Sequence, residues 1–213
     1  MNREKLRRWE IPLIALLIIF GSAFLLKMAY MPLLLCSALG AAYLVAVYLF
    51  VRARYGIEIP LILLLLVFGG IQVDAVGNFF RMYGRKFGPL DYDEFAHMAV
   101  QVLTTPLVVW LLREALKRFG YPLPLGLVTF FAITTIFSLS AFYEIIEMWD
   151  ELYFGGQRIW STHDAPNDLQ WNFAGILLGA ALAYAVLHRT PERAVGLKEE
   201  AAAGGRRQGQ KAE

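Results

Sequence analysis

The chain contains one cysteine, Cys36, and it lies inside an apolar run. With no second thiol, no disulfide can form within the chain, and cysteine usage does not indicate a redox compartment. Charge is scarce too: 18% of residues are charged, against about a quarter in soluble domains. The sequence has no Gly-rich phosphate loop, zinc signature, nucleic-acid footprint, fixed-period repeat or soluble catalytic domain. No nucleic-acid partner is therefore expected. The net charge of +2 selects no partner either.

What the chain has is hydrocarbon. Hydrophobic residues make up 58% of it and fall in long unbroken runs. A run of about 18 or more apolar residues matches the roughly 30 Å core of a bilayer. Six such spans can be placed: Ile11 to Leu26, Met31 to Val51, Ile59 to Asn78, Asp93 to Leu112, Leu123 to Trp149 and Asp168 to Leu187. Turn-forming linkers such as "RARYGIEIP" and "KRFGYPLP" separate them. The basic-then-apolar beginning is read as a retained first span, because no small-residue cleavage site stands out. The expected fold class is all-α, a polytopic membrane helical bundle of six transmembrane helices. It occupies residues 1–188, and a charged, Ala/Gly-rich tail, 189–213, is expected to be disordered and cytoplasmic.

Orientation follows from the basic residues in short loops. Only Lys27, Arg81, Arg85, Lys86 and Arg158, of 20 Lys and Arg, fall on the side opposite the N-terminus. Both termini are therefore expected in the cytoplasm. The acids show the reverse bias. Asp74, Asp91, Asp93, Glu94, Glu144, Glu147, Asp150, Glu151, Asp164 and Asp168, of 18 Asp and Glu in all, crowd at the outer ends of the last four spans.

The acids and their polar neighbours recur at helical spacing. Asp74 and Asn78 stand four apart, as do Asp93 and His97; Glu144, Glu147 and Glu151 are spaced by three and four; Asp164, Asp168 and Asn172 by four. Residues three or four apart share a helix face, so each span presents a polar stripe at one depth. An ionisable group at mid-membrane costs about 2.5–3.5 kcal/mol on insertion scales, so it faces the bundle interior and suggests a functional site. Carboxylates from four helices at one level need protons, cationic side chains or a metal to neutralise them.

Carboxylates plus an imidazole from facing helices resemble helix-bundle metal sites, and hard oxygen ligands also suit magnesium or calcium. The expected ligand set for a divalent metal ion is Asp93, His97, Glu144, Glu147 and Asp168. Glu147, His97 and Asp168 are the candidate catalytic acid/base groups. Asp74, Asn78, Asp164 and Asn172 are the candidate orienting residues.

Structural readings stand beside these. "DYDE" makes Asp91 a helix cap with Glu94 completing a capping box, and Asp164 suits the same role ahead of Pro166. Asp150 and Glu151 are expected to be solvated, and Arg81, Arg85 and Arg158 to pair with the acids. His163 and His188 are weaker ligand candidates than His97, which sits inside an apolar run. "GILLG", Gly175 to Gly179, allows close helix packing and is expected to act within the bundle.

Three functional classes stay open. The first is a membrane enzyme, metal-dependent, acting at the outer leaflet on a lipid or lipid-linked envelope substrate. The second is a non-catalytic scaffold, or an accessory protein in envelope stress or resistance, whose acids cap and salt-bridge. The third is a cation- or proton-coupled transporter, which would need polar groups continuing toward the cytoplasm.

Four of these motifs also carry a resemblance. "GN" at Gly77-Asn78, "YDEFAH" at Tyr92 to His97, "AFYEIIE" at Ala141 to Glu147, and D-x-x-x-N-x-x-G-x-x-x-G from Asp168 to Gly179 resemble the YjdF-like inner-membrane proteins of bacteria. The match covers about residues 60 to 187. More distantly the same order is similar to that of the VanZ-like proteins, in which a Gln tends to stand where Glu147 is here. The outer loop "GGQRIWSTHDAPND" also departs from the "TQGD-x-W" flavour of the YjdF-like proteins. The resemblance implies a multi-pass protein of the bacterial cytoplasmic (inner) membrane, surrounded by membrane lipids. Its VanZ-like branch is linked to glycopeptide resistance.

Overall fold

The computed structural model describes residues 19–21, 23, 24, 27, 31–156, 159 and 163–189. Five helices among them are long and apolar enough to cross a membrane: α1 (Leu33–Tyr55), α2 (Leu61–Phe79), α3 (Tyr92–Arg118), α4 (Leu125–Phe154) and α5 (Asp164–Arg189). Ile19, Phe20, Gly21, Ala23, Phe24 and Lys27 belong to a further helix. The rest of the first expected span, and the tail from residue 190, lie outside the described residues. The protein is an all-α multi-pass membrane bundle.

Local sequence fixes the helix ends. α1, α2 and α4 each start directly after a proline, Pro32, Pro60 or Pro124, whose ring sets φ and leaves no N–H to satisfy. α1 and α4 stop at glycines in the left-handed region: Gly56 at φ 63° and Gly155 at φ 71°. α3 starts with the expected capping box. Its Asp91 backbone N–H donates to Glu94 Oε2 at 3.0 Å.

All five helices run past an end of the expected span, α1 reaching Tyr55 and α2 Phe79. α3 continues beyond Leu112 to Arg118 and α4 beyond Trp149 to Phe154, at 27 and 30 residues. Lengths of about 40 and 45 Å exceed a roughly 30 Å hydrocarbon core, so their ends stand in the interface and the water. α5 begins at Asp164, ahead of the expected Asp168. The linker between α2 and α3 adds an unexpected element, a two-residue hairpin. In it β1 (Lys86–Phe87) pairs antiparallel with β2 (Leu90–Asp91) around Gly88, whose φ is 68°. The Phe87 ring then packs on Tyr92 and Phe95 at the start of α3.

α3 lies at the centre, against α2, α4 and α5, and α1 packs on α2. The tightest seam is α3 with α5. A Cβ on Gly175 would strike the Met98 carbonyl and the Gln101 side chain; one on Gly179 would crowd Thr105 and the Val102 carbonyl. The G-x-x-x-G thus packs within the bundle, as small-residue seams do where lipid gives no hydrophobic drive between helices. Away from these seams the helices are greasy and uncovered: Leu34, Leu49, Leu61, Ile62, Phe130, Leu182 and Val186 are all exposed. Such faces match lipid, not water.

Gly175→Val is therefore expected to lower the midpoint of unfolding in detergent by the equivalent of about 1–3 kcal/mol, the usual cost of overpacking. Gly126→Ala, where a Cβ meets nothing within 4 Å, should leave the midpoint unchanged or higher. Thermal or denaturant titration of the purified protein reads both. Equal behaviour of the two variants would remove the close-packing account of the seam.

Candidate functional site

The residues that α3 brings inward stand on one face: Asp93, His97 and Gln101, each one turn deeper than the last. His97 is the pivot. Its Nε2 lies 3.5 Å from Asp93 Oδ1 on its own helix and 3.6 Å from Asp168 Oδ1 on α5. Its other nitrogen, Nδ1, lies 3.3 Å from Asn172 Oδ1, one turn along α5 from Asp168. Ligand atoms of Asp93, His97 and Asp168 all lie within 4.8 Å of one another.

The second row fixes the first. Gln101 Nε2 donates to Asn172 Oδ1 at 3.2 Å and to Ser140 Oγ of α4 at 3.0 Å, and the Ser140 hydroxyl donates to Ile136 O at 3.0 Å. Because Asn172 Oδ1 accepts from Gln101, the oxygen and not the amide nitrogen faces His97. That oxygen takes a hydrogen on Nδ1, which turns Nε2 between two carboxylates. Anionic oxygens on both sides of Nε2 call for a proton or a cation there. The centre of the trio is therefore a place for positive charge.

A cavity of about 570 Å³ opens on this trio. Asp74, Asn78, Asp93, His97, Glu147, Asp168 and Asn172 all line it. Seven of the expected site residues, from four helices, thus share one space. Glu144 is buried behind that wall, and Asp164 opens α5 outside the lining. Neither Glu144 nor Glu147 joins the close trio. Three buried carboxylate oxygens, Asp168 Oδ1, Glu144 Oε1 and Asp150 Oδ2, have no hydrogen-bond partner among the described residues, and the first two lie at the site.

The mouth has its own brace. Asp74 Oδ1 accepts from the Tyr83 hydroxyl at 2.5 Å and from Asn78 Nδ2 at 3.1 Å. Tyr92 donates to the Val73 carbonyl at 2.7 Å. Gly77 permits this, because a Cβ there would overlap the Tyr92 and Tyr83 rings. In "GN", the glycine makes room for the aromatic brace and Asn78 faces the cavity.

Several expectations change. α1 supplies a wall through Cys36, Tyr43 and Leu44, so five helices enclose the cavity, one more than expected. Asp150 is buried and pairs with Lys27 at 2.5 Å, and Glu151 Oε2 accepts from the Ile159 N–H at 3.0 Å; neither is simply solvated. Among the described residues Arg81 and Arg85 make no salt bridge with the nearby acids. Arg158 lies outside them. Gln101 was missed, yet the signal was there: it stands four residues past His97 on the same face.

A family model described as "Predicted membrane protein (DUF2238)" matches residues 8–193. The match takes in the first two spans as well as the motifs from Gly77 onward. No curated protein and no solved structure matches the chain.

Gln101→Leu removes both amide bonds and strips the Asn172 acceptor of one donor. The expected loss is about 2 kcal/mol of unfolding free energy in detergent. Thr129→Val removes a hydroxyl bonded only to Leu125 O of its own turn and should stay within about 0.5 kcal/mol of wild type. A Gln101→Leu protein as stable as Thr129→Val would refute the bracing role.

Proposed function

Because the chain belongs to this family of predicted membrane proteins (DUF2238), we propose that its cavity is a divalent-metal site of a membrane-embedded enzyme. Its substrate class would be a lipid or a lipid-linked envelope precursor. The observation that carries the reading is His97, with Nδ1 committed to Asn172 and Nε2 turned toward Asp93 and Asp168. Separations of 3.5 and 3.6 Å are too long for good hydrogen bonds. They approach the roughly 3.3 Å between ligands that bonds of about 2.0–2.1 Å make at a tetrahedral angle. The buried Asp168 Oδ1, which has no hydrogen bond among the described residues, supports the same reading.

In this reading Asp93, His97 and Asp168 hold the ion, and Asn172 and Gln101 form the outer shell that orients the ligating imidazole. One imidazole with two carboxylates suits manganese, iron or zinc. A bound cation supplies Lewis-acid activation of a carbonyl or phosphoryl oxygen, or of a water. Glu147, on the cavity wall but outside the trio, is the candidate general base or acid. Glu144 lies buried behind it, and Asn78 with Asp74 orients the substrate at the mouth. The resemblance to YjdF-like proteins and the bias of basic residues support a place in the bacterial inner membrane with the cavity facing outward.

Transport fits less well. Deeper than Thr105, the bundle is filled by Val109, Ala132 and Ala183, buried to 0, 0 and 6% exposure and flanked by Val108, Leu112 and Leu187. No polar path crosses that layer among the described residues.

Elemental analysis of the protein purified in mild detergent tests the proposal. About one equivalent of a divalent metal per chain is expected. His97→Ala and Asp168→Asn should lose most of it, while Asp91→Asn, at the helix cap, should keep it. Glu147→Gln should keep the ion as well. Metal-free wild type prepared without chelator would sink the metal reading and favour the scaffold.

A further inference from the structure

The cavity is far deeper than a metal and a small polar substrate require. Along α2 its lining runs from Asn78 to Val67, and along α3 from Asp93 to Thr104. Eleven residues of helix span about 16 Å, roughly half of a 30 Å hydrocarbon core. The chemistry changes along that depth. One end presents Asp74, Asn78, Arg81, Tyr83 and the Asp93–His97–Asp168 trio; the other presents Leu44, Val67, Gly70, Ile71 and Val100 along α1, α2 and α3, with Gln101, Thr104 and Ser140 as uncharged polar groups on the facing side.

Arg81 marks the mouth. It is the only non-glycine residue with positive φ among the described residues, at 51°. Two turn bonds hold it there: its N–H donates to Asn78 O at 3.2 Å, and the Met82 N–H donates to Gly77 O at 2.8 Å. Its side chain is exposed and lines the cavity, yet it takes none of the neighbouring acids as an ion-pair partner among the described residues. An unengaged guanidinium at the rim of an acidic cavity suits an anion with several oxygens, which can bridge it to a cation deeper in.

We propose that the cavity binds a single-chain lipid phosphate, its headgroup held between Arg81 and the Asp93–His97–Asp168 centre and its chain lying along Leu44, Val67 and Ile71. The proposal deepens the functional reading above and shares its orientation of the cavity. A saturated acyl-type chain and an isoprenoid chain would present the same headgroup chemistry.

Cys36 provides the probe, since it is the only thiol in the chain and lines the cavity. The rate at which a small methanethiosulfonate modifies it is read in neutral maltoside detergent, beside the thermal midpoint of the same samples. Dodecyl phosphate below its micellar concentration should slow modification and raise the midpoint. Inorganic phosphate and the uncharged dodecyl octaethylene glycol ether should do neither at equal concentration. Arg81→Ala should weaken the apparent affinity about tenfold or more, as loss of a charge-assisted contact does, with Arg81→Lys partly restoring it. Val67→Trp, which fills the inner end, should remove binding of dodecyl phosphate. Farnesyl phosphate in place of dodecyl phosphate distinguishes the two chain types.

Equal protection by the ether and the phosphate would overturn the headgroup assignment. No protection and no midpoint shift with either phosphate would overturn the proposal altogether. Where Cys36 resists the reagent in wild type, the midpoint decides. Repeating the titration on chelator-treated protein separates the two readings: binding that persists at full strength without metal leaves the lipid phosphate standing and removes the ion from its recognition.

Discussion

The close approach of α5 to α3 at Gly175 and Gly179 is the contact on which the site depends. Asp168 stands two turns from Gly175 on α5, and Asn172 one turn nearer. The distance from either to His97 is therefore set by how near the two helix axes come. With side chains between the helices, the axes would move apart and the 3.6 Å and 3.3 Å approaches to His97 would be lost together. In lipid no hydrophobic force drives helices together, so backbone-to-backbone packing has to supply it. The small residues that give the seam its stability also set the geometry of the polar centre.

The seam alone would bring two acids and an imidazole together without fixing how the ring is turned. That is settled one turn deeper by Gln101, which joins α3, α4 and α5 through Asn172 and Ser140. Its amide uses one nitrogen to set the orientation of Asn172, and Asn172 in turn sets the protonated nitrogen of His97. In the low dielectric of a bundle such polar chains are favourable only when every member finds its partner. Asp168 Oδ1 breaks that rule among the described residues, as Glu144 Oε1 does behind the cavity wall. At Asp168 the departure falls at the point where the imidazole Nε2 and the Asp93 carboxylate converge. Natural sequences violate local rules of this kind at functional positions more readily than in structural ones.

The spans were legible because lipid imposes a length and an apolar surface, and both are written directly in the sequence. The polar stripes were legible because helical spacing is fixed, so Asp93 with His97 and Asp168 with Asn172 could be placed on shared faces before any packing was known. Packing itself was not legible. That α1 contributes Cys36, Tyr43 and Leu44 to the cavity depends on the tilt of a helix whose sequence is apolar all round. That Asp150 is buried against Lys27 depends on where the end of α4 meets a residue more than a hundred positions earlier. Gln101 shows the intermediate case: its face was predictable, but an uncharged amide in a span raises no electrostatic alarm, and attention to charge alone passes over it.

The two halves of the bundle divide the work along the membrane normal. Beyond Thr105 the side chains are small or branched and tightly buried, with Val109 and Ala132 fully enclosed, and this layer closes the cavity at its inner end. A closed end at this layer lets the other half carry carboxylates and a rim arginine without offering ions a route across. It also fixes the direction from which anything can reach the trio, since the buried layer leaves entry only from the Asp93 end of α3 or sideways between helices. A water-soluble ligand would gain little from the Leu44, Val67 and Ile71 wall, whereas an amphiphile in the adjacent leaflet has its chain at that depth before it enters. Placing charge at the interface and hydrocarbon at the midplane aligns the cavity with the lipid molecules that surround it.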